Sequence, residues 1–166
     1  MTISIRRANA DDARTLAQLN AVVHQLHVDE QPDRYKPLDP TNPDLIAIYD
    51  GHLANESAYV FIALDDDKPV GYLVGFLREI TENPFIYGGW SFHVDQMSVE
   101  VAYQGKGVGH LLLDIAIQIA RELQADMISL GVAAFNQHAI EFYEKHGFTI
   151  RSFQMWQHLK TDNKGL

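Results

Sequence analysis

Gln104-Gly105-Lys106-Gly107-Val108-Gly109 is the stretch whose residue types and spacing are best suited to chemistry. It lies between an extended apolar segment and the strongest helical pattern in the chain. Glycine permits backbone conformations and close approaches that other residues resist. The first amides of a helix have no intrahelical acceptor, and the helix dipole is positive at that end. Together these features make an anion site of the size of a phosphate or pyrophosphate. Two familiar phosphate loops fail on spacing. A Walker loop needs Gly-Lys followed by Ser or Thr, and here Gly105-Lys106 is followed by Gly107. A dinucleotide fingerprint needs G-x-G-x-x-G, and here the spacing is Gly105-x-Gly107-x-Gly109.

Proton-transfer groups are the second set of interest. His93, Asp95 and Met97 alternate along one extended segment, so the side chains of His93 and Asp95 share a face. A histidine near its ordinary value of about 6.5 is well placed to take a proton at neutral pH. His24 and His27 are a second pair, three residues apart on one helix face. His52, His110, His138, His146 and His158 show no metal-ligand spacing such as H-E-x-x-H, so no metal is expected.

The elements that position these groups follow from periodicity. Residues 3–7 alternate as a short strand, and Asn9 to Asp12 supply helix-capping residues before Leu16, Leu19, Val23 and Leu26 at helical spacing. Pro32, Pro37, Pro40 and Pro43 break the next stretch, and residues 44–54 read as a short helix. Residues 59–64 and 69–77 form a hairpin about the polar turn 65–68. Gly71 and Gly75 inside it mark bulges or close backbone approach. Residues 90–99 read as a long strand, 107–123 as an amphipathic helix and 127–132 as an apolar strand. Residues 136–146 read as a helix closed by Gly147, 148–159 as one or two strands and 161–166 as a loose polar tail. The order predicts an α/β fold with a mixed sheet, in which 90–99 and 127–132 pair in parallel.

Composition bounds the rest. The 166 residues favour one domain, with 46% hydrophobic and 21% charged residues. There is no cysteine, which excludes a disulfide scaffold, a thiolate metal site and a cysteine nucleophile on this chain. A net charge of −9 without a basic stripe argues against nucleic-acid binding. The first residues lack an apolar signal-peptide core and no run reaches the length of a membrane helix, so a cytoplasmic protein is expected. A homodimer is left open.

The segment from Met97 to Gly109 resembles motif A of the GNAT superfamily of N-acetyltransferases: a strand ending in Val99, then Gln104-x-x-Gly107-x-Gly109 opening a helix. A second segment, Asn136, Ala139 and Phe142-Tyr143-Glu144-Lys145-His146-Gly147-Phe148, resembles that family's C-terminal signature. Gln104 departs from the commoner arginine and leaves more of the anion binding to Lys106 and the amides. The resemblance implies a GNAT-like single domain over 1–160, with six to seven strands, splayed parallel central strands and about four helices. It implies acetyl-CoA as co-substrate. Backbone groups of Met97, Ser98 and Val99 would pair with the pantetheine arm. The amides of Gln104, Gly105, Lys106, Gly107, Val108, Gly109 and His110 would hold the pyrophosphate, and Asn136 would touch the pantetheine. Tyr143 matches the general acid, with His93 or Asp95 as base. The activity implied is acetyl transfer to the amine of a small molecule or peptide. A non-catalytic acyl-CoA-binding module with the same fold is the alternative. The acceptor pocket is expected from residues 24–43, with Tyr35, and from 82–90, where Phe85, Tyr87, Trp90 and Phe92 are candidates to line it.

Overall fold

The computed structural model describes residues 2–157 and residue 159. The expected loose tail at 161–166 lies outside the described residues. The chain divides into two compact units, Met1–Gly131 and Val132–Leu166.

The first unit holds a sheet in the order β1-β2-β3-β4-β5. The strands are β1 (Ile3–Arg7), β2 (Ala58–Asp65), β3 (Lys68–Ile80), β4 (Gly89–Val99) and β5 (Met127–Leu130). β1 to β4 pair antiparallel, and β4 pairs β5 in parallel from Ser91↔Met127 to Val94↔Leu130. The fold is therefore α/β with a mixed sheet, as expected, but among the described residues the sheet has five strands rather than six or seven. The difference lies at the C-terminal end. Residues 148–157 form no strand, and Ile150, Phe153, Met155 and Trp156 stay exposed. Branched and aromatic residues suit a pleated surface, but they make a strand only where a neighbouring edge supplies the ladder.

Helices cover both faces of the sheet. α1 (Ala13–Glu30) and α2 (Pro43–Ala54) pack on one face, where Leu16, Ala17, Leu19 and Tyr49 meet Val60, Ile62, Tyr72 and Val74. α3 (Val108–Glu122) covers the other, where Val108, Leu112 and Ala116 meet Phe61, Ala63, Leu73, Phe92 and Val94. Each fully buried Leu or Phe in these layers contributes about 1.5–3 kcal/mol. The entry to α1 is fixed by a local network. Asn9 caps a short 3-10 turn (Ala10–Asp12), and Asp12 Oδ2 accepts from the Asn9 amide. Arg6 of β1 grips the same carboxylate with two bonds of 2.7 Å, holding Asp12 below the usual carboxylate range.

Two glycines of β3 are required by what lies against them. A Cβ on Gly71 would stand 2.9 Å from the Ser98 carbonyl oxygen, and one on Gly75 would stand 2.5 Å from the Phe92 ring. Register shifts between Val74 and Gly75, where β4 carries one extra residue, Asp95. Both features expected of these glycines are present: close approach at Gly71 and a bulge beside Gly75.

The second unit holds α4 (Gln137–Lys145). Asn136 caps it, its side-chain oxygen accepting from the Ala139 amide at 3.1 Å. Gly147 closes it at φ 84°, the left-handed geometry expected of that position.

The Phe92 ring is fully buried and has nowhere to retreat. Gly75→Ala should therefore lower stability by about 1–3 kcal/mol, read from the midpoint of denaturant unfolding. An unchanged midpoint would show that the ring is not wedged against this strand.

Candidate active site

β4 carries the candidate base, and the bulge decides where its side chains point. Phe92 and Val94 pack toward α3, and so do Met97 and Val99. Strict alternation would put Met97 on the face of His93 and Asp95. The extra residue reverses the phase, so Met97 joins the α3 core instead. His93 pairs in register with Ser129, which lies between the core residues Ile128 and Leu130. His93 thus faces away from α3. Asp95 faces the same way: Arg78 Nη2 lies 3.5 Å from its Oδ1, and its charge acts on both His93 and the phenols of Tyr49 and Tyr72. The expectation that His93 and Asp95 share a face holds; the inclusion of Met97 does not.

His93 Nδ1 shares a hydrogen bond of 3.0 Å with Ser129 Oγ, which lies 3.1 Å from Ser91 Oγ. Partial burial is the main cause that pushes the imidazole below its ordinary value, and the Arg78 charge adds to it against the opposing pull of Asp95. The shift favours the neutral ring, the form a proton acceptor needs. Ser91, Ser129 and Arg78 were not among the sequence candidates. A serine inside the apolar runs of β4 and β5 is the signal that points to the first two.

His24 and His27 are placed differently. His24 Nε2 bonds the Lys36 carbonyl oxygen at 2.7 Å, and His27 Nδ1 bonds that of Val23 at 2.9 Å. Both rings contact Tyr35, His24 edge-on and His27 at a tilt, and this fastens the segment after α1. Among the aromatic candidates Phe92 is core, whereas Phe85 and Tyr87 are each 93% exposed.

The glycine loop has the geometry of an anion cradle. Gly105 and Gly107 adopt φ of 71° and 87°. The helical run through α1, α2 and α4 each start on an asparagine whose side chain accepts a backbone amide. α3 starts on Gly107, with no side-chain cap and no acidic residue in its first turn. A Cβ on Gly107 would meet nothing within 4 Å, so the space beside the start of α3 is open at that residue. Lys106 Nζ lies 5.3 Å from the centre of the Tyr103 ring. Gln104 does not reach outward: its Nε2 donates to the Val99 carbonyl oxygen at 3.1 Å. Beside the loop, the parallel ladder stops at Val94↔Leu130, while β4 runs on to Val99. The β5-side edge of residues 95–99, Met97, Ser98 and Val99 among them, has no ladder partner among the described residues.

In the second unit, Tyr143 packs edge-on against Phe142 and Phe148, with ring centres 5.3 and 5.8 Å away. Burial pushes its phenol up to about 12.

The pattern of the Acetyltransferase (GNAT) family matches residues 21–148. The chain belongs to that family. Spermidine/spermine N(1)-acetyltransferase-like protein 1 of Homo sapiens is 30% identical over 96% of this chain and 22% of its own length. A mycothiol acetyltransferase of Propionibacterium freudenreichii subsp. shermanii is 39% identical over 34% of this chain and 18% of its own. The chain thus spans about a fifth of the length of these relatives. Among solved structures, a tetramutant of the BH1408 protein from Bacillus halodurans superposes with a TM-score of 0.88 at 26% identity, covering 94% of this chain and 99% of that one. An aminoglycoside N-acetyltransferase in complex with CoA shares the fold, with a TM-score of 0.73 at 15% identity over 96% of each chain.

The geometry around His93 makes a prediction for NMR. The imidazole should titrate below 6.5, and Arg78→Ala should raise the midpoint by removing a like charge. A midpoint above 6.5, or one that falls in the variant, would contradict this electrostatic picture.

Proposed function

We propose that the protein is an N-acetyltransferase that moves an acetyl group from acetyl-CoA to a primary amine by direct attack within a ternary complex. One observation supports this above the others. The uncapped N-terminus of α3 and the unpaired edge of β4 adjoin in the chain, and the same strand bears His93 and Asp95. The amides of Gly105, Gly107, Val108 and Gly109, with the Lys106 side chain beside them, suit a pyrophosphate, whereas the Lys106 amide donates to the Tyr103 carbonyl oxygen. The backbone of Met97, Ser98 and Val99 suits an extended amide-bearing arm that adds like a strand. The family match crosses both units, which supports reading 1–160 as one acyltransferase domain.

Acetyl-CoA would supply an activated thioester carbonyl. This chain's residues then manage protons and charge. In the tautomer in which His93 Nδ1–H donates to Ser129 Oγ, the Nε2 lone pair is left for the acceptor amine. Asp95 holds the ammonium form near the base and stabilises the imidazolium that follows. As the N–C bond forms and the C–S bond breaks, the leaving sulfur needs a donor, the role that the family motif assigns to Tyr143. With its phenol at about 12, above a thiol near 8.5, Tyr143 stays protonated and acts as a lasting hydrogen-bond donor to the departing sulfur. The family motif gives Asn136 a contact with the pantetheine, beside the capping bond it makes to Ala139.

The acceptor is read as a small-molecule amine. The polyamine and aminoglycoside names of a relative and of a structural neighbour support that class, and so does the net charge of −9.

Thiol release from acetyl-CoA, measured against a panel of polyamines, aminoglycosides, amino acids and peptides, tests the proposal. Turnover should appear with at least one amine. Tyr143→Phe should cut kcat by about 10²-fold or more while leaving acetyl-CoA affinity within a few-fold. CoA binding without turnover on any amine would favour the non-catalytic module, and a variant at the wild-type rate would remove the acid role.

A further inference from the structure

The sheet face beneath α1 and α2 is built of apolar side chains, with one polar knot inside it. Asn20 of α1, Tyr49 of α2, Tyr72 of β3 and Gln96 of β4 meet there. The hydroxyls of Tyr49 and Tyr72 each donate to Gln96 Oε1 at 2.8 Å. Asn20 Nδ2 donates to the Tyr72 hydroxyl at 2.8 Å. Tyr49 is 1% exposed and Tyr72 fully buried. Burial pushes Tyr72 up to about 12 and Tyr49 higher still, so both remain donors. Packing alone does not call for this arrangement, because a fully apolar replacement of a buried network is often nearly neutral in stability.

The position of the knot gives it a use. Gln96 is the second residue of the β4 bulge and Asp95 the first. With Oε1 held by two phenols, the Gln96 amide nitrogen turns toward Asp95 and lies 3.5 Å from its Oδ2. Arg78 lies 3.5 Å from Oδ1. Each carboxylate oxygen thus faces one donor at long range, and neither oxygen has a full-strength hydrogen bond among the described residues. Such a carboxylate is aimed but not engaged.

We propose that Tyr49, Tyr72 and Gln96 are positioning residues of the acceptor site, which lock the β4 bulge and thereby aim Asp95 at the ammonium of the incoming amine. The inference rests on the acyl-transfer reading above. The titratable groups facing Asp95 are Arg78 and Tyr72 of β3, His93 of β4 and Tyr49 of α2.

Two variants test it. The triple change Tyr49→Phe, Tyr72→Phe and Gln96→Leu removes the knot and strands only half-buried Asn20, which water can reach. Gln96→Glu keeps an acceptor for both phenols but puts anionic oxygen where an amide faced Asp95. Both should raise the acceptor KM about tenfold or more, with the acetyl-CoA KM within about twofold. Gln96→Glu should also shift the Asp95 carboxyl titration upward, read by carbon-13 NMR. An unchanged acceptor KM and an unchanged Asp95 titration would reduce the knot to core packing. Should the triple variant not fold, Gln96→Glu decides alone. If the wild type acetylates no amine, the acyl-transfer reading falls instead, and an Asp95 titration unmoved by Gln96→Glu would separately overturn this inference.

Discussion

β4 carries one residue more than β3 can pair, and the placement of the candidate site follows from that mismatch. Without the bulge at Asp95, alternation would turn Met97 and Val99 out of the α3 core or drive Phe92 and Val94 out of it. With it, all four pack toward α3 while His93, Asp95 and Gln96 face the opposite layer. A bulge disrupts a ladder and needs support on both sides. Here Gly75 lets the Phe92 ring close over β3, and the phenols of Tyr49 and Tyr72 hold Gln96 from beneath. A strand deformed in this way presents polar groups without opening its core.

The second constraint is what the backbone leaves unpaired. The helical run through α1, α2 and α4 each spend an asparagine on capping, and β1 to β4 pair with one another along nearly their whole length. Two places at β4 and just after it differ among the described residues: the β5-side edge beyond Val94 has no ladder partner, and the start of α3 has no side-chain cap. Unpaired backbone polar groups cost free energy when removed from water. Left open here, they suit the proposed ligand, which carries a pyrophosphate at one end and amides along its length. Gly105 and Gly107, both at positive φ, bring no side chain to the approach to α3.

Much of this was legible in the sequence because it is local. The amphipathic run of α3, the turn at 65–68, the capping residues Asn9 and Asn136 and the glycine spacing of 105–109 each need only a short window of residues. The parallel pairing of β4 and β5 followed from the strand–helix–strand order. What escaped depends on partners far along the chain. The bulge exists only relative to the register of β3, so alternation along β4 alone does not give the face of Met97. The Ser129 contact with His93 joins residues 36 positions apart, and the knot at Gln96 joins four elements. The extended pattern of 148–157 marked residues suited to a strand but said nothing about an edge to receive them.

The proposed ligand of the open start of α3 is the pyrophosphate of an acyl-CoA. Calorimetric titration of acetyl-CoA into the wild type and into Gly107→Glu tests it most directly. The substitution sets a carboxylate against the phosphates and a side chain on a left-handed residue. The account predicts saturable binding to the wild type and at least about a hundredfold weaker binding to the folded variant. Equal affinity in the two proteins, or no binding to the wild type, would contradict it.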